Sequence, residues 1–153
     1  MTETRARATT PEDLARLFVE RANAGDAEGL AELYEPDAVL AYPPGATTVG
    51  REAIRAVCER MLAHAPRPFR VEEALPTVRY GDLALTSTRP ADNTGGRVQV
   101  ARRQPDGSWL RIIDRPEIRS EDRPGIRSED RPGIRPEDRP EVPSETRPEA
   151  GAE

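Results

Sequence analysis

The sequence predicts an α+β domain, three N-terminal helices against a curved antiparallel sheet, followed by a disordered C-terminal tail. Three observations carry that prediction. Segments with apolar residues at helical spacing occupy the chain up to about residue 65, and five short strand-like segments separated by turn residues follow it to residue 115. From Pro116 onward the chain is proline-rich and repeats every eight residues. Helices followed by a β-meander place the helices on one face of an antiparallel sheet. The divisions are a flexible N-terminus at residues 1–9, a folded domain at 10–115 and a tail at 116–153.

Taken in order, Thr10-Pro11-Glu12-Asp13 opens the first helix, with Thr10 as N-cap, Pro11 at the first helical position and acidic groups facing the positive helix end. Leu14, Leu17, Phe18 and Ala22 form its apolar stripe, and Gly25 ends it. Asp26 caps a second, short helix that buries Leu30, Leu33 and Tyr34. Pro36-Asp37 breaks the pattern, and residues 38–42 form a short strand before the Pro43-Pro44-Gly45 turn. Gly50 precedes a third helix over 51–65, in which Ile54, Val57, Cys58, Met61 and Leu62 recur at helical intervals. Strands follow at 69–75, 77–80, 83–89, 97–104 and 108–115. Gly81-Asp82, Asn93-Thr94-Gly95-Gly96 and Pro105-Asp106-Gly107 mark three of the connections as hairpin turns.

The tail cannot join this domain. Residues 118–125 and 126–133 are identical octapeptides, 134–141 is close to them and 142–149 is degraded; each unit has one aliphatic residue and at least one proline. So little apolar surface does not offset an ordering entropy of about 1–2 kcal/mol per residue. Seven of the sixteen prolines lie from residue 116 onward, more than twice the density of the preceding 115 residues. A repeated array of this kind either serves as a multivalent partner-binding segment, is processed from a precursor, or is a neutral expansion.

Charge and composition exclude several function classes. A net charge of −5 and a pI near 5.1 leave no basic footprint for nucleic acid, although every one of the 23 basic residues is arginine. No run of about 18 apolar residues is present to span a membrane. One cysteine cannot pair within the chain, and residues 1–10 do not read as a secretory leader, so a reduced, cytoplasmic protein is expected. One histidine and one cysteine do not make a zinc site, and there is no P-loop, dinucleotide-binding glycine motif or Ser-His-Asp set, so no cofactor or metal is expected.

Asn23-Ala24-Gly25-Asp26, Leu33-Tyr34-Glu35-Pro36-Asp37-Ala38-Val39, Pro44-Gly45 and Gly50-Arg51-Glu52-Ala53-Ile54 resemble, in order and spacing, the first half of nuclear transport factor 2-like (SnoaL-like) proteins. Pro105-Asp106-Gly107-Ser108-Trp109, running into Ile112-Ile113-Asp114, resembles their last hairpin. The resemblance covers residues 10 to 115. It implies a cone-shaped domain in which the sheet curves around the helices to leave a ligand pocket, commonly in a homodimer made through the sheets. It does not fix a function, because the superfamily includes isomerases, polyketide cyclases, epoxide hydrolases, dehydratases and members without chemistry.

The isomerase machinery of that superfamily needs an aspartate base with a tyrosine and a protonated aspartate as oxyanion donors. By the resemblance these fall on Tyr42, Phe18 and Gln99, and none of the three carries the required group. The remaining candidates are Asp114 and Tyr42 as catalytic groups, with Phe18, Tyr42, Gln99, Arg103 and Asp114 as ligand-binding residues. By the period of two, Asp114 shares a strand face with Leu110 and Ile112, and it either points into an apolar pocket or pairs with a surface arginine such as Arg115. Arg89 is a further candidate. His64 fits a surface position in the last turn of the third helix, Cys58 fits core packing and Asp37 fits a turn.

Two functions follow. One is a small-molecule pocket protein, a cyclase, isomerase or hydrolase acting on an apolar ligand with a carbonyl or hydroxyl; the other is a noncatalytic dimeric binding domain. An apolar cavity of about 300 Å³ or more with Tyr42, Gln99 and Asp114 converging on it distinguishes the first, and a filled interior the second.

Overall fold

The computed structural model describes residues 4–91 and 95–118. The repeats beyond residue 118 and the Asn93-Thr94 turn lie outside the described residues. Three helices, α1 (Asp13–Asn23), α2 (Ala27–Ala31) and α3 (Arg51–His64), pack on one face of a curved seven-stranded sheet. The strands are β1 (Tyr34–Leu40), β2 (Thr48–Val49), β3 (Glu73–Ala74), β4 (Val78–Tyr80), β5 (Leu83–Arg89), β6 (Gly96–Arg103) and β7 (Trp109–Ile118). Their order is β2-β1-β7-β6-β5-β3, with β4 also pairing β5.

Helix ends follow the local chemistry of the sequence. Thr10 Oγ1 accepts from Asp13 N at 3.3 Å while Asp13 Oδ2 accepts from Thr10 N at 3.1 Å, a reciprocal pair that closes a turn over a buried Pro11. Helix α1 itself starts later than expected, with Glu12 rather than Thr10 at the N-cap and no side-chain cap bond there. Gly25, at φ +71°, reverses the chain with its N–H on the Ala22 carbonyl. Asp26 then caps α2 by accepting from Gly29 N at 2.8 Å. Leu14, Leu17, Leu30 and Ile54 from the helices meet Leu40, Ala84, Ala101 and Trp109 from the sheet in one core. Full burial of each leucine or isoleucine contributes about 1.5–3 kcal/mol.

The first strand differs from expectation. Tyr34 does not belong to the second helix but opens β1, which passes through Pro36-Asp37 rather than starting after it. The break survives as an irregularity: β1 pairs with β7 at Tyr34↔Arg111 and next at Val39↔Ile113, so a stretch of β1 bulges out of the ladder. Proline is tolerated there because a bulge needs no ladder donor. The β1–β7 pair is also parallel, which makes the sheet mixed at this one junction where an all-antiparallel sheet was expected. No hairpin joins these two strands, so nothing forces them to run in opposite directions.

Residues 4–9, assigned to a flexible terminus from sequence, make contacts of their own, and residues 116–118, assigned to the tail, continue β7 with Ile118 opposite Gly96. Arg5 bridges Asp26 at 2.7 Å and Glu32 at 2.8 Å, and the Ala8 carbonyl accepts from Trp109 N at 2.9 Å. Between α3 and β4 the chain is held by Asn23, whose side-chain amide bonds both the N–H and the carbonyl of Phe69.

The rungs of the sheet sort side chains onto two faces. Thr86, Gln99, Asp114 and Leu40 are successive partners across β5, β6, β7 and β1 and face the helices. The adjacent rung, Val78, Leu85, Val100, Ile113, Val39 and Val49, crosses six strands on the opposite face and is aliphatic throughout. A β-bulge separates Val100↔Ile113 from Ala101↔Arg111, leaving one surplus residue, Ile112, in β7. That residue corrects the sequence expectation for Asp114: it lies on the face of Trp109 and Arg111, not of Leu110, because a bulge shifts the alternation by one.

Candidate functional site

On the helix-facing side of β7, four polar side chains meet in an otherwise apolar interior. Asp114 (2% exposed), Gln99 (6%) and Arg111 (5%) are buried beside Tyr34 (2%). The Tyr34 hydroxyl donates to Asp114 Oδ2 at 2.5 Å, and Gln99 Nε2 donates to Asp114 Oδ1 at 3.2 Å. Arg111 Nη1 reaches the Tyr34 oxygen at 3.3 Å and Asp114 Oδ2 at 3.4 Å. Thr86 donates its hydroxyl to Gln99 Oε1 at 3.3 Å, which turns the amide nitrogen toward Asp114.

The sheet register builds this arrangement. Thr86, Gln99 and Asp114 are direct cross-strand partners, and Tyr34 is the partner of Arg111. The bulge at Ile112 brings Arg111 and Asp114 to the same side three positions apart, where an undisturbed strand would separate them. Two rings flank the guanidinium: its Cζ lies 5.1 Å from the centroid of Phe18 and 5.7 Å from that of Tyr34.

Burial, then the neighbouring Asp114 charge, hold the Tyr34 phenol well above its ordinary value, so it stays protonated and donates. Burial opposes the Arg111 charge, but Tyr34 and Asp114 outweigh it and its pKa is raised. Cys58, buried on α3, is pushed up to about 11, first by burial and then by Asp114, and is a thiol at neutral pH rather than a nucleophile.

Of the sequence candidates, the structure brings Gln99 and Asp114 into direct contact and sets Phe18 against Arg111. It places the others apart. Tyr42 lies in the loop after β1, 43% exposed, and its carbonyl accepts from Thr48 Oγ1 at 2.7 Å. Arg103 is exposed at the end of β6, about 13 Å along the strand from Gln99 at about 3.3 Å per residue, and lines a depression of about 330 Å³ with Asp82 and Gln104. Arg89, His64 and Asp37 are exposed. A second groove, of about 780 Å³, runs along the N-terminal arm past Arg5, Arg21 and Arg51. Neither cavity is lined by Tyr42, Gln99 or Asp114, so neither forms the open apolar cavity expected where these three converge; Asp114 is instead enclosed by its contacts with Tyr34, Gln99 and Arg111.

Tyr34 and Arg111 escaped the sequence reading. A charged residue inside the run Trp109-Leu110-Arg111-Ile112-Ile113 was the available signal for Arg111, since a charge in so apolar a strand needs a partner. Among the described residues no group of three or more His, Cys, Asp or Glu side chains is placed to hold a metal ion, and no helix is long and apolar enough to cross a membrane.

Comparison with known proteins agrees with this architecture. A family model described as a SnoaL-like domain matches residues 15–116. A protein from Thiobacillus denitrificans, described as a calcium/calmodulin-dependent protein kinase type II association domain, superposes with a TM-score of 0.59 at 23% identity, over 74% of this chain and 100% of that one. A ketosteroid isomerase-like protein from Erwinia carotovora atroseptica gives 0.55 at 18% identity, over 68% and 89%. A nuclear transport factor 2-like protein with a cystatin-like fold from Novosphingobium aromaticivorans gives 0.51 at 24%, over 67% and 75%. These likenesses speak to fold alone. No curated protein matches the sequence.

Proposed function

Because the chain belongs to the SnoaL-like domain family through residues 15–116, we propose that it binds a small apolar ligand bearing a carbonyl or hydroxyl oxygen at the Tyr34, Gln99, Arg111 and Asp114 cluster. One observation carries this reading: three donors converge on a carboxylate that is 2% exposed. Filling such a space with hydrophobic side chains is often neutral or stabilising by about 1–4 kcal/mol relative to a buried ion pair. A polar cluster built there supports recognition rather than stability as its role, and because no open cavity adjoins Asp114 a ligand reaches it only after a neighbouring side chain moves.

The donors also argue for binding over proton abstraction. Both Asp114 oxygens already accept hydrogen bonds, and Tyr34 holds its proton, so neither is poised as a base. Phe18, partly buried and stacked on Arg111, is the residue whose rotation admits a ligand. Displacing a ring from a cation costs about 0.5–2 kcal/mol. The experiment is a thermal-shift screen of apolar ketones, lactones and alcohols, repeated with Asp114→Asn and Tyr34→Phe. We expect a stabilising compound whose effect falls about tenfold in concentration in both variants, because Tyr34 and Asp114 hold the Arg111 guanidinium in position. A ligand whose affinity is the same in all three proteins removes this assignment.

A second reading, a noncatalytic dimeric domain, has its own observation in the aliphatic rung on the outer face. Ile113 is 50% and Leu85 40% exposed in the middle of that rung. An uncharged row of this kind fits a second copy of itself about a twofold axis better than a charged partner. The two readings are compatible, since they use opposite faces of the same strands.

A further inference from the structure

Every acceptor in the buried cluster already has a donor. Asp114 Oδ2 accepts from Tyr34 and Arg111, Asp114 Oδ1 from Gln99, Gln99 Oε1 from Thr86, and the Tyr34 oxygen from Arg111. The unmatched atom is a donor: among the buried side-chain nitrogens and oxygens of the described residues, Arg111 Nε alone lacks a hydrogen-bond partner. An orphaned buried donor costs about 1–3 kcal/mol, and more when charged, so it marks where a missing acceptor belongs.

The charge of that acceptor is also constrained. The cluster holds one guanidinium and one carboxylate, and its phenol is protonated, so it is balanced as it stands. An anionic ligand adds an uncompensated charge to a site from which water is excluded, whereas a neutral oxygen does not. We propose that Arg111 Nε–H is the recognition group of this site and that its ligand presents a neutral carbonyl oxygen, as a ketone, ester or lactone does, rather than a hydroxyl donated to Asp114. The inference rests on the cluster being the ligand site, and it selects between the two oxygen types left open there. The Nε–H lies in the guanidinium plane, so a carbonyl meets it along that plane once Phe18 has rotated off the face of the group.

The test is a titration of the full-length, ¹⁵N-labelled protein with cyclohexanone, cyclohexanol and cyclohexanecarboxylate in turn, following the Arg111 Nε–H resonance and the Gln99 side-chain amide. The Nε–H signal is assigned by its loss in Arg111→Lys. We expect cyclohexanone to shift the Nε–H saturably and to bind about tenfold more tightly than the alcohol or the carboxylate. Arg111→Lys, which keeps the charge but loses the planar donor, is expected to lose that tenfold; should it fail to fold, the ranking of the three probes on the parent protein still decides. If cyclohexanone moves the Gln99 amide and leaves the Nε–H unmoved, the carbonyl assignment is wrong while the ligand site stands. Preference for the alcohol or the carboxylate has the same meaning. If no probe moves either signal and the Nε–H exchanges magnetisation with a bound water, the orphan is a hydration site, and both the inference and the ligand reading fall.

Discussion

Among the described residues Arg111 and Asp114 are each other's only counter-charge in the interior, and this makes them unequal to the surface pairs. Arg111→Met leaves a buried carboxylate with two neutral donors and no cation, and we expect it to destabilise the domain by about 3–5 kcal/mol. Asp114→Leu added to it removes the stranded charge and is expected to restore most of that loss in a denaturant titration. A double variant as unstable as the sum of the two singles would mean that the residues act independently. At this scale the sequence was half legible. Gln99 and Asp114 were readable because their polar groups stand on strands of otherwise apolar character. Tyr34 and Arg111 were not: the first follows Leu33 in a run that suits a helix face as well as a strand, and the second is paired through a bulge that alternation alone does not reveal.

The element most dependent on charge is the N-terminal arm, tied to the start of α2 by Arg5 and Asp26. Asp26 is held below the usual carboxylate range, first by its hydrogen bond from Arg5 and further by the Gly29 N–H, against the opposing effect of burial. A depressed folded-state value means that the unfolded chain takes up the proton first. The stabilisation is therefore complete above the unfolded aspartate value of about 3.9 and fades as pH falls through the folded one. We expect Asp26→Asn to lower the thermal midpoint at pH 7 and to close the gap to the parent protein by pH 2; a constant gap across that range would show that the contact, not its ionisation, matters. The end of α1 and the start of α2 were legible for the same reason that the arm is stable, since Gly25 and Asp26 act on backbone within a few residues, whereas the Thr10 turn precedes α1 instead of capping it. Strand β5 was bounded as observed. Strands β1 and β2 were not, because what makes them strands is pairing with β7 and with each other, and β7 lies some 75 residues further along the chain.

For the whole molecule, the proposed dimer is the property most open to a single substitution. Ile113→Glu places a charge in the centre of the outer rung on both copies at once, so each interface carries it twice. Light scattering across a concentration series is expected to report a dimer for the parent chain and a monomer for the variant, with the far-ultraviolet circular dichroism unchanged. A parent chain that is monomeric at every concentration would retire the proposal. The overall architecture was the most legible level, because helical stripes, turn residues and the change of period near residue 66 survive local errors in boundary.

The surplus Ile112 has a further bearing on how such a strand can change over generations. Substitution can exchange one side chain for another, but it cannot move Asp114 outward or Ile113 inward, because both orientations follow from a count of residues rather than from their chemistry. Loss of one codon upstream of position 113 would evert the distal half of the strand in a single step, presenting acid to solvent and isoleucine to the helices. The inside and outside of this strand are therefore set by one surplus residue, which substitution alone does not remove.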